Sequence, residues 1–303
     1  DTVTYNSETY SVTSINYGAF SSCSSLTSIT IPEGVTSIEQ HAFSSCSGLT
    51  SITIPASVTS IGYEALSGTA WFNDQPDGVI YLGKVLYSYK GTMPENTSIE
   101  VKDGTTCIAG NAFYGCTNLT SITIPSSVTS IERFTFYGCS NLTAINIPEG
   151  VTSIGDYAFR GCSSLTAINI PEGVTSIGNY AFSGCGSLTD IYCYAESVPA
   201  TGEGVFSNYT YYNATLYVPQ SAMASYQSTA PWSSFTIKKL MVPGYQVTDL
   251  SDLSNDKVYT LRSARAFLLH SEAEQVADKL CSNTGSSVGT VEYALGNPAL
   301  HFR

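Results

Sequence analysis

Six cysteines of this chain recur in one setting: Cys23, Cys46, Cys116, Cys139, Cys162 and Cys185. Four of the five intervals are 23 residues, and Cys46 to Cys116 is 70, three times 23 plus one. Thiols so placed offer two kinds of chemistry, disulfide formation and zinc ligation. The odd total of nine cysteines argues against a closed disulfide framework. No C-x-x-C occurs and no histidine stands beside these thiols, which disfavours zinc. If copies of the unit stack at the inter-strand spacing of about 4.7–4.9 Å, that distance alone does not forbid disulfides. Ladder neighbours point in parallel, however, and pairing would pull them off a core. The thiols are therefore expected to be buried, unbridged and used as small apolar fillers. In an exported protein, free thiols suggest an anaerobic or weakly oxidising setting.

The remaining reactive groups form no constellation. His41, His270 and His301 lie at no metal spacing. His41 occupies a variable polar place that Tyr157 and Tyr180 take in other copies, so it is expected at the surface. Asp74 and Asp77 beside Trp71 could imitate the carboxylate pair of a glycosidase, but "NDQPDG" is better read as turn chemistry. Neither G-x-S-x-G nor a phosphate-binding loop appears. The expectation is a chain without catalytic residues, cofactor or metal. Of the N-x-[ST] sites at Asn96, Asn118, Asn141, Asn208 and Asn213, two fall at the same place in the repeat and reflect duplication.

The elements that position these groups follow from the period. The register is C-x2-L-x2-I-x-I-P-x2-V-x2-I-x4-F-x2, as in Cys139, Leu142, Ile145, Ile147, Pro148, Val151, Ile154 and Phe159. A fixed period of this length signals a solenoid. Leu-x2-Ile-x-Ile predicts a short alternating strand, which Pro ends because it has no N–H for a ladder. "VTSI" predicts a second extended piece. The A-F-x2-C stretch predicts a tight turn or a 3₁₀ piece, being too short for a stable helix. One unit alone buries too little to offset the entropy of ordering its backbone. Stacked units share a continuous core, in which apolar letters are fixed while polar ones drift in water. The frame reaches back to Val12, Ile15 and Phe20, and survives weakly at Ile99, Val101, Ile108 and Phe113.

This pattern closely resembles the BspA-like class of bacterial leucine-rich repeats, over about residues 10–240. The resemblance implies a curved solenoid, secreted or exposed on a bacterial cell surface, with adhesion to or recognition of a host or matrix protein and no enzymatic activity. The expected fold is mainly β: a leucine-rich-repeat solenoid with short strands and few helices over 1–242, plus a small, possibly truncated β-rich module at 243–303.

The pattern breaks in two places. At 69–92, Val79–Leu82 and Val85–Tyr89 flank Gly83-Lys84, which predicts an extruded hairpin with a type II′ turn. From Ser187 the register dissolves into a cap spanning 186–242, as a solenoid end must be closed by an atypical unit. Leu216 and Val218 are expected in a last strand, Ser221 as the N-cap of a short helix through Tyr226, and Trp232, Phe235 and Ile237 as a lid. The strand face is small and nearly uncharged until Asp190 and Tyr192, so it offers few anchors. Candidate ligand-binding residues are therefore Trp71, Tyr81, Tyr87 and Tyr89 in the hairpin and Tyr192 and Tyr211 near the cap. Packing is the competing explanation for each. Their ligand would be an extracellular protein or, alternatively, a glycan bound by aromatic clusters in the hairpin, cap or C-terminal module.

A net charge of −12 with only 12 Lys and Arg disfavours nucleic acid. No apolar run approaches the roughly 20 residues of a membrane span. The chain starts at Asp1, so an upstream export signal is compatible with it. A monomer is expected.

Overall fold

The computed structural model describes residues 2–5, 8–240, 261–262 and 299–300. The chain divides into two compact units, Asp1–Lys239 and Leu240–Arg303. The first is mainly β, a solenoid of stacked coils whose helices are confined to short segments at 70–73, 208–213, 223–228 and 232–234.

Each regular coil contributes two short strands, and each strand pairs in parallel with its copy in the next coil. In the first ladder Ser28–Thr30 pairs with Ser51–Thr53, and further along Ala167–Ile170 pairs with Asp190–Cys193. In the second, the "SI" dipeptides at 14, 37 and 60 pair in turn, as do those at 130, 153 and 176. Partners such as Ile154 and Ile177 are one period apart, so every side chain stacks on its own equivalent. That is why the apolar letters are fixed. Leu142, Ile147, Val151, Ile154 and Phe159 are all buried.

Phenylalanines build one internal column. Phe136 stacks on Phe159 at 5.3 Å, Phe159 on Phe182 at 5.2 Å and Phe182 on Phe206 at 5.3 Å. The thiols do more than fill space beside it. Cys139, Cys162 and Cys185 each donate Sγ–H to the carbonyl of a Phe in the preceding coil (Phe113, Phe136 and Phe159) at 3.1 Å. A methyl group would fill the site without satisfying that carbonyl. Cys46, Cys139, Cys162 and Cys185 are buried and unbridged, but Cys23 is exposed and Cys116 is half-buried. The expectation that all six lie inside fails at the first coil, where no preceding coil covers the thiol. Burial pushes the buried thiols up, Cys185 to about 12 and Cys193 to about 11. Accordingly, iodoacetamide at pH 8 should label Cys23 in the folded chain and leave Cys139, Cys162 and Cys185 unmodified until denaturant is added. Peptide mass spectrometry checks this. Ready labelling of Cys162 would contradict the packing.

Two threonine columns correct the idea that polar letters drift freely. Thr50, Thr143 and Thr189 donate Oγ1–H to the carbonyls of Thr27, Thr120 and Thr166, one period back, at 3.2–3.3 Å. Thr36 and Thr175 do the same to Thr13 and Thr152 at 3.2 Å. Thr106 follows the irregular coil, and its buried Oγ1 has no partner among the described residues.

The A-F-x2-C stretch is a run of turns, not a helix. It contains two left-handed backbone positions. One directly precedes the cysteine: Gly138, Gly161 and Gly184 have φ of 70–78°, as glycine readily allows. The other lies two residues before the buried Phe. There Gly18 and Gly204 bracket coils carrying His41, Asn111, Phe134, Tyr157 and Tyr180, with φ between 50 and 59°. For a side-chain-bearing residue this conformation costs roughly 1–2 kcal/mol.

The irregular coil at 69–92 holds a short helix, Ala70–Asn73, capped by Thr69, which sequence reading missed. The predicted hairpin follows: Gly78–Leu82 pairs antiparallel with Val85–Lys90. Positive φ at Gly83 but not at Lys84 agrees with a type II′ turn. The hairpin does not merely protrude. Val85 and Leu86 pair in parallel with Cys107 and Ile108, so one of its strands carries on the second ladder in place of the missing "SI".

The cap differs from expectation in three details. A helix at Asn208–Asn213, capped by Ser207, holds the tyrosine cluster. Thr215–Val218 is not the last strand, because Thr236–Lys239 pairs beyond it. The second helix is Met223–Ser228 with no side-chain cap; Ser221 instead donates to Glu196 Oε2 at 2.5 Å. In the lid, Trp232 and Phe235 are buried, and Ile237 is half-buried against the same core cluster. Trp232 donates Nε1–H to the Pro199 carbonyl at 3.1 Å. In the second unit Leu261–Arg262 pairs antiparallel with Ala299–Leu300. The other strands expected at 243–303 fall outside the described residues.

Candidate functional site

The hairpin aromatics divide between packing and exposure. Tyr87 is buried; its hydroxyl accepts the Leu66 N–H at 2.9 Å, and its ring meets Phe72 edge to face at 5.6 Å. It is a core residue with no face left for a ligand. Trp71 is half-buried, 6.3 Å from Tyr87. The Tyr81 hydroxyl accepts the Lys102 N–H at 3.0 Å, with Lys102 Nζ 4.3 Å from its ring centroid. Tyr89 is half-buried against the larger core. Lys90 Nζ donates to the carbonyls of Asn73 and Gln75 and so ties the hairpin to the short helix. Asp74 and Asp77 are both exposed beside this tie. Trp71 with Tyr87 faces one core cluster, while Tyr81 and Tyr89 pack against the other. The four residues therefore do not converge on one pocket.

Near the cap, Tyr192 stacks on Tyr217 at 4.7 Å on the strand face. Burial, and next the Asp190 carboxylate, push the Tyr192 phenol up. Tyr211 is half-buried, 4.9 Å from Phe235 and 6.0 Å from Phe206, and helps close the solenoid. Tyr209 and Tyr212 of the same helix are exposed.

Sequence reasoning missed an ordered stack of half-buried aromatic rings. It arises at the second left-handed position. Phe134 and Tyr157 stack at 4.9 Å, and Tyr157 and Tyr180 at 5.3 Å. Beside them Tyr114 and Tyr137 stack at 4.8 Å, with Phe134 5.7 Å from Tyr137. Arg133 and Arg160 lie over these rings: the Arg133 guanidinium carbon is 4.6 Å from the Phe134 centroid, and that of Arg160 is 5.5 Å from Tyr157. His41, at the equivalent place in an earlier coil, was expected at the surface and is half-buried, edge to face with Tyr17 and Tyr63. The signal was present in the letters F, Y and Y at one register position, but a positive φ that turns them into one column is not visible in a hydrophobic pattern.

Among the described residues, no helix is long and apolar enough to cross a membrane, and no cluster of three or more His, Cys, Asp or Glu could hold a metal ion.

The sequence model described as "BspA type Leucine rich repeat region" matches six copies, over residues 3–74 and 86–241. Among solved structures, a leucine-rich repeat protein from Bacteroides ovatus is similar at 25% identity, over 79% of this chain and 67% of that one, with a TM-score of 0.36. A leucine-rich cell surface protein from Faecalibacterium prausnitzii is 30% identical over 58% of this chain and 62% of its own, with a TM-score of 0.37. The pneumococcal vaccine antigen PcpA is 16% identical over 80% of this chain and 88% of its own, with a TM-score of 0.45. No curated protein matches the chain.

Proposed function

Because the chain belongs to the BspA-type leucine-rich repeat family, we propose that it is a non-enzymatic recognition scaffold, secreted or displayed on a bacterial cell surface, that binds a host or matrix protein. The support is the division of labour along each coil. The thiols of the inner coils are sealed, donating to backbone carbonyls inside the core. The side chains suited to interfaces, tyrosine and arginine, stand in ordered stacks outside it. A glycan is the second candidate, favoured by the exposed tyrosines of the 208–213 helix and by half-buried Trp71.

The test is a pull-down of extracellular-matrix proteins on the immobilised chain, run beside a glycan array. The expected result is retention of a protein and a blank array. A glycan signal abolished by Trp71→Ala or Tyr81→Ala would establish the second candidate instead. Turnover of any substrate by residues 1–303 would defeat both.

A further inference from the structure

We infer that the stack formed by Phe134, Tyr157 and Tyr180 with Arg133 and Arg160 is the contact surface for a carboxylate-rich segment of a partner protein. The inference rests on the scaffold function proposed above and gives it a location and a chemistry.

Three observations carry it. The first is backbone geometry. Phe134, Tyr157 and Tyr180 are held at φ of 54–59°, at a position taken by Gly204 in the next coil and by the polar residues His41, Glu64 and Asn111, also at positive φ, in earlier coils. Bulky residues at such positions are uncommon, and they point to a role beyond the fold. Here they recur in three successive coils.

The second is charge. Between Lys102 and Lys238 the chain has only two cations, Arg133 and Arg160, and both lie on this stack. Among the described residues neither is within ion-pair distance of a carboxylate, and the buried Nε of Arg133 has no hydrogen-bond partner. The nearby acids each have a hydrogen-bond partner, and one of them, Glu203, lies at the Tyr180 hydroxyl. Glu132 accepts the Ser130 hydroxyl at 2.7 Å, and Asp156 accepts the Asn179 N–H at 2.7 Å. Two guanidiniums without anions, fixed over aromatic rings in an otherwise acidic chain, are complementary to carboxylates.

The third separates protein from sugar. Pyranose rings need an open aromatic face. Both faces of Tyr157 are covered, by Phe134 and Tyr180. The far side of Tyr180 lies so close to Gly204 that a Cβ there would sit 2.4 Å from Tyr180 Cε1. With the Arg133 guanidinium over Phe134, what these three rings leave for a partner is mainly their edges, which carry the positive end of the aromatic quadrupole, together with the guanidiniums. That surface suits Asp and Glu side chains.

The test measures binding of the full 303-residue chain to immobilised poly-L-glutamate, with polygalacturonate as the acidic-glycan arm. Binding to poly-L-glutamate is expected, with about a tenfold loss in Arg160→Gln and a larger loss in the Arg133→Gln/Arg160→Gln double variant. Arg160 is exposed, so Arg160→Gln should leave the thermal transition unchanged, and Arg160→Lys should recover part of the affinity. Lys238→Gln/Lys239→Gln should bind like the parent. Three outcomes would overturn the inference: no binding to poly-L-glutamate, equal binding by Arg160→Gln, or preference for polygalacturonate. If the chain retains a matrix protein with an affinity that Arg160→Gln leaves unchanged, the location is wrong while the scaffold function stands. If it retains no protein, the function itself fails.

Discussion

Phe159→Ala should lower stability by about 3–5 kcal/mol and split the unfolding of the solenoid into two steps. Phe159 is fully buried, between Phe136 and Phe182. Its loss opens a cavity and breaks two stacks, each worth about 0.5–1.5 kcal/mol beyond the buried area. In a stacked array, stability is close to a sum of unit terms and nearest-neighbour interfaces, so a defect in the middle uncouples the two sides. The chain has two tryptophans, placed to report this. Trp71 belongs to the hairpin coil and Trp232 to the cap. Fluorescence of Trp71→Phe and Trp232→Phe variants should show coincident urea midpoints in the parent background and separated midpoints once Phe159 is replaced. Coincident, unshifted midpoints in the Phe159→Ala background would show that the column does not couple the coils.

Alkali should unfold the protein sharply. Burial raises the thiols of Cys107 and Cys185 to about 12 and that of Cys193 to about 11, from an ordinary value near 9.0. Cys139 and Cys162 are raised for the same reason, burial first and neighbouring thiols next. The folded state thus holds protons that the unfolded state releases. The contribution of these thiols is fully present below pH 9 and is lost as pH climbs from there towards 11 and 12. Each affected group weakens folding by up to about 1.4 kcal/mol per pH unit. Five such groups bring the loss near pH 10 into the range of an entire stability of about 5–15 kcal/mol. Buried Tyr87 and Tyr226, also raised by burial, add to the effect above pH 10. Circular dichroism under anaerobic, reducing conditions checks this. The Cys139→Ala/Cys162→Ala/Cys185→Ala variant should be less stable at pH 7 yet lose less between pH 8 and 11 than the parent. An equal loss in both would assign the alkaline transition to other groups.

What could be read in advance was whatever repeats with the period and lies in the core. Leu142, Ile147, Val151 and Phe159 declare themselves because each must match its copies. The hairpin was legible because Gly83 between two apolar runs has a backbone meaning of its own. The threonine columns were hidden in plain view. Thr is compatible with any exposed strand position, so its invariance at Thr27, Thr50 and Thr143 carries no information until the carbonyl it meets, one coil back, is known. The cap resisted for a different reason. Asn208–Asn213 is a helix of a single occurrence, without a periodic copy to average against, whereas the short helix through Tyr226 was expected and only its start and cap differ. The aromatic ridge depended on a backbone angle, and no pattern of apolar letters encodes that.

The hairpin strand Val85–Lys90 also bears on how the chain counts its own turns. Neighbouring coils such as 139–161 and 162–184 are almost interchangeable, so a growing end could dock one turn out of phase and still bury matching side chains. Only a part that fits nowhere else can forbid that slip, and the interrupted coil is such a part in the interior, with the lid around Trp232 as another at the end. Between these two landmarks, whole turns can be lost or gained over generations without disturbing either, and the reach of the molecule becomes a heritable length that can change while its ends stay the same.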